Sequence, residues 1–179
     1  MRTIIPQDNN PVLREKAQHV PIADIKGKHI QSLIADMQKL LAKEEHGVAI
    51  AASQVGEPLQ LFIVSGRALA EREADENKPD KKAPAVPDQI YINPTMTKMS
   101  RGKREKHEGC LSIRGKWGMV PRAEKATVRA YDEIGKAFTR GASGFLAHIF
   151  QHEMDHLEGI LYTDKAKKLY DDEKEEAGE

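Results

Sequence analysis

The sequence has little cysteine, few aromatic residues and no long hydrophobic run. Cys110 is the single cysteine among 179 residues, so a disulfide bond within the chain is excluded. No apolar stretch approaches the roughly 20 residues that a membrane-spanning helix needs. The first residues are also too poor in apolar side chains to resemble a secretory signal. We therefore expect a single-domain protein of the reducing cytoplasm that does not enter a membrane.

Excess charge of either sign is absent as well. The 28 Lys and Arg residues balance the 28 Asp and Glu residues, so the chain as a whole has no electrostatic attraction to nucleic acid. Basic residues recur over positions 96–107, but no aromatic residues alternate with them to stack on bases. We predict no specific nucleic-acid partner. Positions 171–179 are mostly acidic, and we expect a disordered tail there after a domain at positions 1–170.

The most informative stretch is positions 151–159, with the sequence QHEMDHLEG. His152 and His156 are four residues apart, so on a helix they lie on one face and can bind the same metal ion. Glu153 can then serve as general base toward a water at that ion. No proline interrupts positions 141–157, side chains form stripes at helical spacing from Phe145 onward, and Gly159 stands where a left-handed residue would end the helix. This pattern predicts a buried helix that carries a metal site.

A third ligand must come from elsewhere in the chain. A lone cysteine is usually a small apolar core residue, but beside two histidines Cys110 completes a catalytic set that leaves one position open. Two alternatives remain. A zinc endopeptidase would use a glutamate of the tail, and a closed site in a metal-stapled binding module would add another histidine; the candidates are Glu173, Glu175, Glu176, His107 and His148. The open site is favoured because a closed one would leave a buried Glu153 without a role.

Periodicity and turn residues predict the other elements. We expect helices at 10–17 and 25–44, and strands at 59–64, 89–93, 126–131 and 160–162. A turn at 101–103 suggests a hairpin within 96–107. Positions 65–88 are charged and rich in alanine and proline, which indicates a surface excursion with a helical turn or two near 68–75.

Three short motifs, in this order, resemble the bacterial type of peptide deformylase: GVAIAASQ at 47–54, EGCLS at 108–112 and QHEMDH at 151–156. The segments 4–20 and 120–125 are also similar to that family, so the resemblance extends to about position 164. It implies an α+β fold in which the HExxH helix packs among antiparallel sheets in one domain. The implied reaction is metal-dependent removal of the N-formyl group from the initiator methionine of nascent polypeptides, which releases formate.

The resemblance also assigns roles to residues near the metal. Cys110, His152 and His156 are expected to hold one divalent ion, natively iron(II), for which zinc, nickel or cobalt can substitute. Glu153 is expected to be the general base and acid. Gln54 and the main-chain N–H of Leu111 would stabilise the oxyanion. A buried pair, Glu108 and Arg122, would support Gln54.

The same resemblance implies a substrate cleft, a pocket for the methionine side chain and a set of partners. The expected substrate-binding residues are Val48, Ala49, Gly109, Phe145, His148 and Ile149. Ala49 stands where the family usually has glycine, and His148 places a titratable group in a pocket that is usually apolar. We expect a monomer that acts on N-formylmethionyl nascent peptides, in transient proximity to the ribosome.

Overall fold

Two antiparallel sheets surround one central helix in a computed structural model of the protein, which describes residues 2–70 and 86–171. Short 3-10 turns lie at Gln7–Asn9, Pro11–Arg14, Ile22–Asp24 and Ala52–Val55. The helices are α1 (Lys28–Lys43), α2 (Gly66–Ala70), α3 (Gly144–Leu157) and α4 (Tyr162–Lys165). The strands are β1 (Ala49–Ala51), β2 (Leu61–Val64), β3 (Gln89–Met99), β4 (Lys103–Cys110), β5 (Ile113–Ala123), β6 (Lys125–Tyr131), β7 (Ala137–Ser143) and β8 (Lys168–Asp171).

The five-stranded sheet, in the order β1-β2-β3-β6-β7, is covered by a helix on each face. Successive side chains of a strand point to opposite faces of the sheet, and β2 packs apolar side chains on both faces. Leu61 and Ile63 pack in a cluster with the apolar stripe of α1, while Phe62 and Val64 pack in a cluster with α3. The α+β class and the antiparallel sheets predicted from the sequence are confirmed. No helix among the described residues is long and apolar enough to cross a membrane.

The three-stranded sheet, in the order β4-β5-β8, has one mostly exposed face. Its inner face is small, and Ile113 and Val120 of β5 pack there with Leu13, Leu161 and Tyr162. The sheet carries Cys110 at the end of β4, beside α3. Its function in the fold is therefore to bring the cysteine to the helix that holds both histidines.

The hairpin predicted within positions 96–107 is wrong. Positions 96–107 do not form a hairpin, because β3 pairs with β6 while β4 pairs with β5, so the chain passes from one sheet to the other at 100–102. The predicted central helix begins at Gly144, and the residues that precede it form β7, a strand that the sequence did not predict. The sequence pattern does not predict β7, because none of its residues is buried and apolar alternation is absent. Pairing with β6 holds this strand in place.

The end of the chain also differs from the prediction. Positions 160–162 are not a strand: Tyr162 begins α4, where the Asp164 carboxylate accepts a hydrogen bond from the Leu161 N–H at 2.9 Å. Strand β8 was not predicted, and it extends to Asp171, whose partner on β5 is Lys116. The predicted disordered tail beyond Asp171 and most of the predicted excursion at 71–85 lie outside the described residues.

Candidate active site

Helix α3 is placed by both of its ends and by its apolar surface. Nine of its 14 residues are buried, His148, Glu153 and His156 among them. Gly159 follows the helix with φ +72°, as the sequence predicted. A side chain at that position would also lie 2.7 Å from the Arg14 carbonyl oxygen. Only glycine permits this close approach, which ties the end of α3 to the amino-terminal segment.

Cys110, His152 and His156 lie together, with one potential ligand atom of each within 4.8 Å of the others. The two histidines stand one turn apart on α3, and the thiol sulfur of Cys110 is 3.4 Å from Nε2 of His156. Pairing of β4 with β5 shifts register between Glu108 and Cys110, which is a local bulge at the sheet edge. Bulges commonly redirect a side chain toward a functional site. The three residues offer the sulfur and nitrogen ligands that zinc and iron(II) accept.

Glu108 anchors this cluster from behind. Its carboxylate accepts hydrogen bonds from Arg122 at 2.5 and 2.9 Å, from Nε2 of His148 at 2.7 Å and from Nδ1 of His152 at 2.8 Å. Burial alone would raise the pKa of Glu108, but these donors hold it well below its usual range. Because Glu108 engages Nδ1, it leaves Nε2 of His152 for a metal, which is the usual arrangement for a ligating histidine.

Glu153 is the other buried carboxylate of the site, and its environment is different. It is as buried as Glu108, with 3% of its surface exposed, yet its Oε2 has no hydrogen-bond partner among the described residues. Burial raises the pKa of Glu153 to about 7, helped by the negative charge of Glu108 and opposed by His152. An unpaired buried carboxylate is costly unless a ligand or a reacting group uses it.

The two histidines of the cluster have opposite electrostatic environments. Burial acts to lower the pKa of His152, but hydrogen bonds with Cys110 and Glu108 raise it well above its ordinary value. Burial and the neighbouring charge of His152 lower the pKa of His156. Nδ1 of His156 has no hydrogen-bond partner among the described residues. His156 is thus kept neutral, the form in which imidazole binds a metal.

Gln54 reaches the cluster from the 3-10 turn after β1. Its Oε1 accepts a hydrogen bond from the Ala51 N–H at 2.9 Å, which fixes the orientation of the amide. Nε2 consequently faces the site, 3.4 Å from the sulfur of Cys110 and 3.4 Å from the Ser112 hydroxyl. The predicted support of Gln54 by Glu108 and Arg122 is not a direct contact, because neither residue is among its hydrogen-bond partners in the described part of the chain.

A cleft of about 490 Å³ opens over the cluster. One wall comes from residues 44–49, which run from the end of α1 into β1, the other comes from β4 and β5, and α3 forms the floor. Every residue that the sequence predicted to bind substrate lines this cleft: Val48, Ala49, Gly109, Phe145, His148 and Ile149. So do Leu111, which follows Cys110, and Gln54. The geometry therefore brings the predicted set together around one cavity.

Ala49 and His148 have surroundings that the sequence did not indicate. Ala49 lines the cleft, but it also belongs to the buried cluster around α3 and is only 6% exposed. His148 directs Nε2 to Glu108, so its polar nitrogen belongs to the Glu108 network. The ring of Phe145 packs edge-on against it, with centroids 6.0 Å apart. Because this nitrogen is directed to Glu108, His148 adds less polar surface to the pocket than a histidine with both nitrogens facing the pocket would add.

The structure bears on one of the two alternative ligand sets, the closed site with an added histidine. His148 is committed to Glu108, and neither it nor His107 belongs to the Cys110, His152 and His156 group, which is the one candidate metal group found in residues 2–70 and 86–171. His107 contacts the ring of Tyr170 instead. The tail glutamates of the endopeptidase alternative lie outside the described residues. The position of Cys110 beside both histidines favours the open three-residue set.

Three residues near the site were not assigned roles from the sequence. Asp155 accepts a hydrogen bond from Arg122 at 2.7 Å and pairs with Lys165, so it holds the far side of the Glu108 network. Ser112 contacts Gln54, and Trp117 lines the cleft. Asp155 could have been suspected from its position one turn after Gln151 in the motif. No local signal points to Trp117, since only strand pairing brings it near Gly109.

Comparison with known proteins agrees with this geometry. The family model described as polypeptide deformylase matches residues 2–172. A curated peptide deformylase from Chloroflexus aurantiacus is 38% identical over 163 residues, which cover 90% of this chain and 84% of that protein. A solved peptide deformylase from Legionella pneumophila has a TM-score of 0.76 at 32% identity, covering 93% of this chain and 86% of that one. A Met-Ala-Ser-bound deformylase from Acinetobacter baumannii has a TM-score of 0.77 at 28% identity, covering 92% and 98%. The chain belongs to the peptide deformylase family of enzymes.

Proposed function

We propose that this enzyme hydrolyses the N-formyl group of peptides that begin with formylmethionine, and that it needs one divalent ion to do so. The observation that carries the proposal is the Cys110, His152 and His156 cluster, beside a carboxylate oxygen of Glu153 on the floor of the cleft that no described residue hydrogen-bonds. The Acinetobacter relative was solved with Met-Ala-Ser bound, a peptide of the kind that deformylation produces. That relative supports formylmethionyl peptides as the substrate class.

The residues present fit a metal ion. Cys110, His152 and His156 would hold it, and the bond from Glu108 to His152 would orient one of the two imidazoles. When bound, the ion would supply Lewis acidity toward the formyl oxygen and toward water. Iron(II) is the proposed native ion, with zinc, nickel or cobalt as substitutes, because a mixed thiolate and imidazole set accepts each of them.

The remaining steps belong to side chains of this chain. Glu153 would take a proton from the attacking water and pass it to the departing amine, a role that suits a carboxyl whose pKa is raised by burial. Gln54 and the Leu111 N–H would donate hydrogen bonds to the oxygen that becomes negatively charged. Val48, Phe145, His148 and Ile149 would receive the methionine side chain, and Ala49 and Gly109 would flank the peptide main chain.

The direct test is release of formate from formyl-Met-Ala-Ser by protein loaded anaerobically with iron(II). Metal-free protein, and loaded protein supplied with Met-Ala-Ser that lacks the formyl group, are the controls. Formate above both controls supports the proposal, and its absence contradicts it. Casein offered to the same preparation tests the endopeptidase alternative, since a deformylase leaves internal peptide bonds intact.

Metal retention tests the ligand assignment separately. Cys110→Ala should lose most bound metal and most activity, because two histidines alone hold the ion poorly. Metal content by elemental analysis, together with the absorption spectrum of the cobalt form, measures this directly. If Cys110→Ala kept full metal and activity, the third ligand would lie elsewhere, and deletion of residues 174–179 would test the last tail glutamates next.

A further inference from the structure

One side chain of the cleft has no role in the reaction described above. Trp117 is the single tryptophan of the chain and lies on β5. It is 43% exposed, which is unusual for a side chain of its size, and it lines the cleft beside Gly109. A large aromatic surface left open at a cleft wall commonly marks a contact for a ligand.

Strand pairing and Gly109 hold the indole next to the metal cluster. A side chain at Gly109 would lie 2.9–3.2 Å from three ring carbons of Trp117, so the ring rests on the backbone of Gly109. Gly109 directly precedes Cys110, and the absence of a side chain at Gly109 leaves room for the ring. Trp117 pairs across the strands with Tyr170 of β8, which fixes its side of the sheet.

The charged groups around the cleft mouth do not favour a charged ligand. Glu44 at the end of α1 and Arg114 on β5 neutralise each other at 2.8 Å, which also links the two walls. Glu45, His46 and Lys116 also line the cleft, so side chains of both signs are present and neither sign dominates. The chemistry offered to a side chain at this position is therefore the flat apolar face of the indole.

We propose that Trp117 is a specificity-determining residue: its indole packs against an apolar or aromatic side chain at one of the two residues that follow methionine in the substrate. This inference rests on the proposed function for the identity of the substrate. The methionine pocket on α3 binds the side chain of the first residue. Trp117, on the opposite wall, binds the side chain of one of the two residues that follow. Peptides with phenylalanine in the contacting position bind more tightly than peptides with alanine or serine there.

Fluorescence of the single tryptophan tests this without catalysis. The zinc-loaded protein is titrated with the unformylated peptides Met-Ala-Ser, Met-Phe-Ser and Met-Ala-Phe, and emission of Trp117 is recorded. We expect one phenylalanine peptide to shift the emission and to bind about 3- to 10-fold more tightly than Met-Ala-Ser, the range typical of an aromatic pair. Equal binding of all three peptides, or no change in emission, overturns the proposal.

Kinetics with the formylated versions of the same peptides distinguishes a role of Trp117 in peptide recognition from a role in supporting the backbone of Gly109. Trp117→Ala should raise KM for the preferred peptide by about 3- to 10-fold with a much smaller effect on kcat, and Trp117→Phe should restore most of the difference. A uniform fall in kcat for all peptides would assign Trp117 a structural role and overturn the proposal. Tyr170→Ala is the matched control, because it removes the strand partner of Trp117 but does not line the cleft. If Trp117 reports selective peptide binding while no formate is released, the proposed function fails and the recognition by Trp117 stands.

Discussion

The regions around Glu108 and Glu153 differ although both carboxylates are equally buried in the same site. Glu108 accepts hydrogen bonds from Arg122, His148 and His152, and its pKa is held low. Glu153 keeps an oxygen that has no hydrogen-bond partner within residues 2–70 and 86–171, and burial raises its pKa to about 7. A fully satisfied carboxylate stays charged and fixes its neighbours, whereas an unsatisfied one can exchange a proton. The hydrogen-bond partners of a buried acid, rather than its degree of burial, determine whether its role is structural or chemical.

The largest expected effect comes from Glu153. Glu153→Gln should lower kcat by about 10²–10⁴-fold, the usual contribution of a positioned general base, while metal content stays stoichiometric. The free energy of unfolding should be unchanged or higher, because the substitution removes an unpaired buried carboxylate. Formate release, elemental analysis and urea unfolding measure the three quantities. A parallel loss of metal and activity would instead make Glu153 a ligand.

Glu108 should show the opposite profile, with its main effect on stability. Glu108→Gln leaves the buried Arg122 with Asp155 as its one acidic partner among the described residues, and breaking such a buried pair costs about 3–5 kcal/mol. Metal affinity should fall by roughly 10–100-fold, because His152 loses the group that orients it. Urea unfolding of the metal-free protein and competition with a chelator measure both.

A matched control for Glu108 is available on the surface. Lys16 and Glu158 form an ion pair at 2.8 Å with 71% and 46% of their side chains exposed. Glu158→Gln should change the free energy of unfolding by less than about 1 kcal/mol. Equal effects at positions 108 and 158 would mean that burial of the Glu108 network contributes little.

Substitution of His148 should have an intermediate effect on the free energy of unfolding and should show how far this residue acts through Glu108. His148→Leu removes one donor to Glu108 and should lower the free energy of unfolding by about 1.5–3 kcal/mol, the range for a hydrogen bond to a charged group. His148→Gln keeps an N–H donor and should recover part of that loss. Preference for formylmethionine over a formylated polar residue should be higher in His148→Leu than in His148→Gln, because His148 also lines the proposed methionine pocket. Equal preferences in the two variants would limit the role of His148 to the support of Glu108.

The smallest effect is expected at Ala49. Its side chain packs in the buried cluster around α3 and its φ is not positive, so glycine removes a buried methyl group and adds freedom to the unfolded chain. Ala49→Gly should lower the free energy of unfolding by about 1–2 kcal/mol. We expect kcat/KM for formyl-Met-Ala-Ser to change by less than about 2-fold, a difference of roughly 0.4 kcal/mol. A larger rise in kcat/KM would show that the methyl group keeps the peptide main chain away from β1.

The sequence by itself determined the parts of the molecule whose pattern is local. The helical stripe and the terminating Gly159 predicted α3, the apolar face of α1 was clear, and three ordered motifs led to the correct enzyme family. These signals depend on residues three to five positions apart, so a linear pattern contains them.

Tertiary structure alone decided which strands pair and which buried groups meet. β3 and β4 are adjacent in the chain yet lie in different sheets, because β3 pairs with β6, which is distant in sequence, whereas β4 pairs with the next strand, β5. β7 and β8 have almost no apolar alternation, and strand pairing alone defines them. The link from His148 to Glu108 spans 40 residues, and Trp117 reaches Gly109 only through the β4–β5 register. Local patterns carry no information on such contacts, since hydrogen bonds and burial between distant segments are fixed only when the whole chain folds.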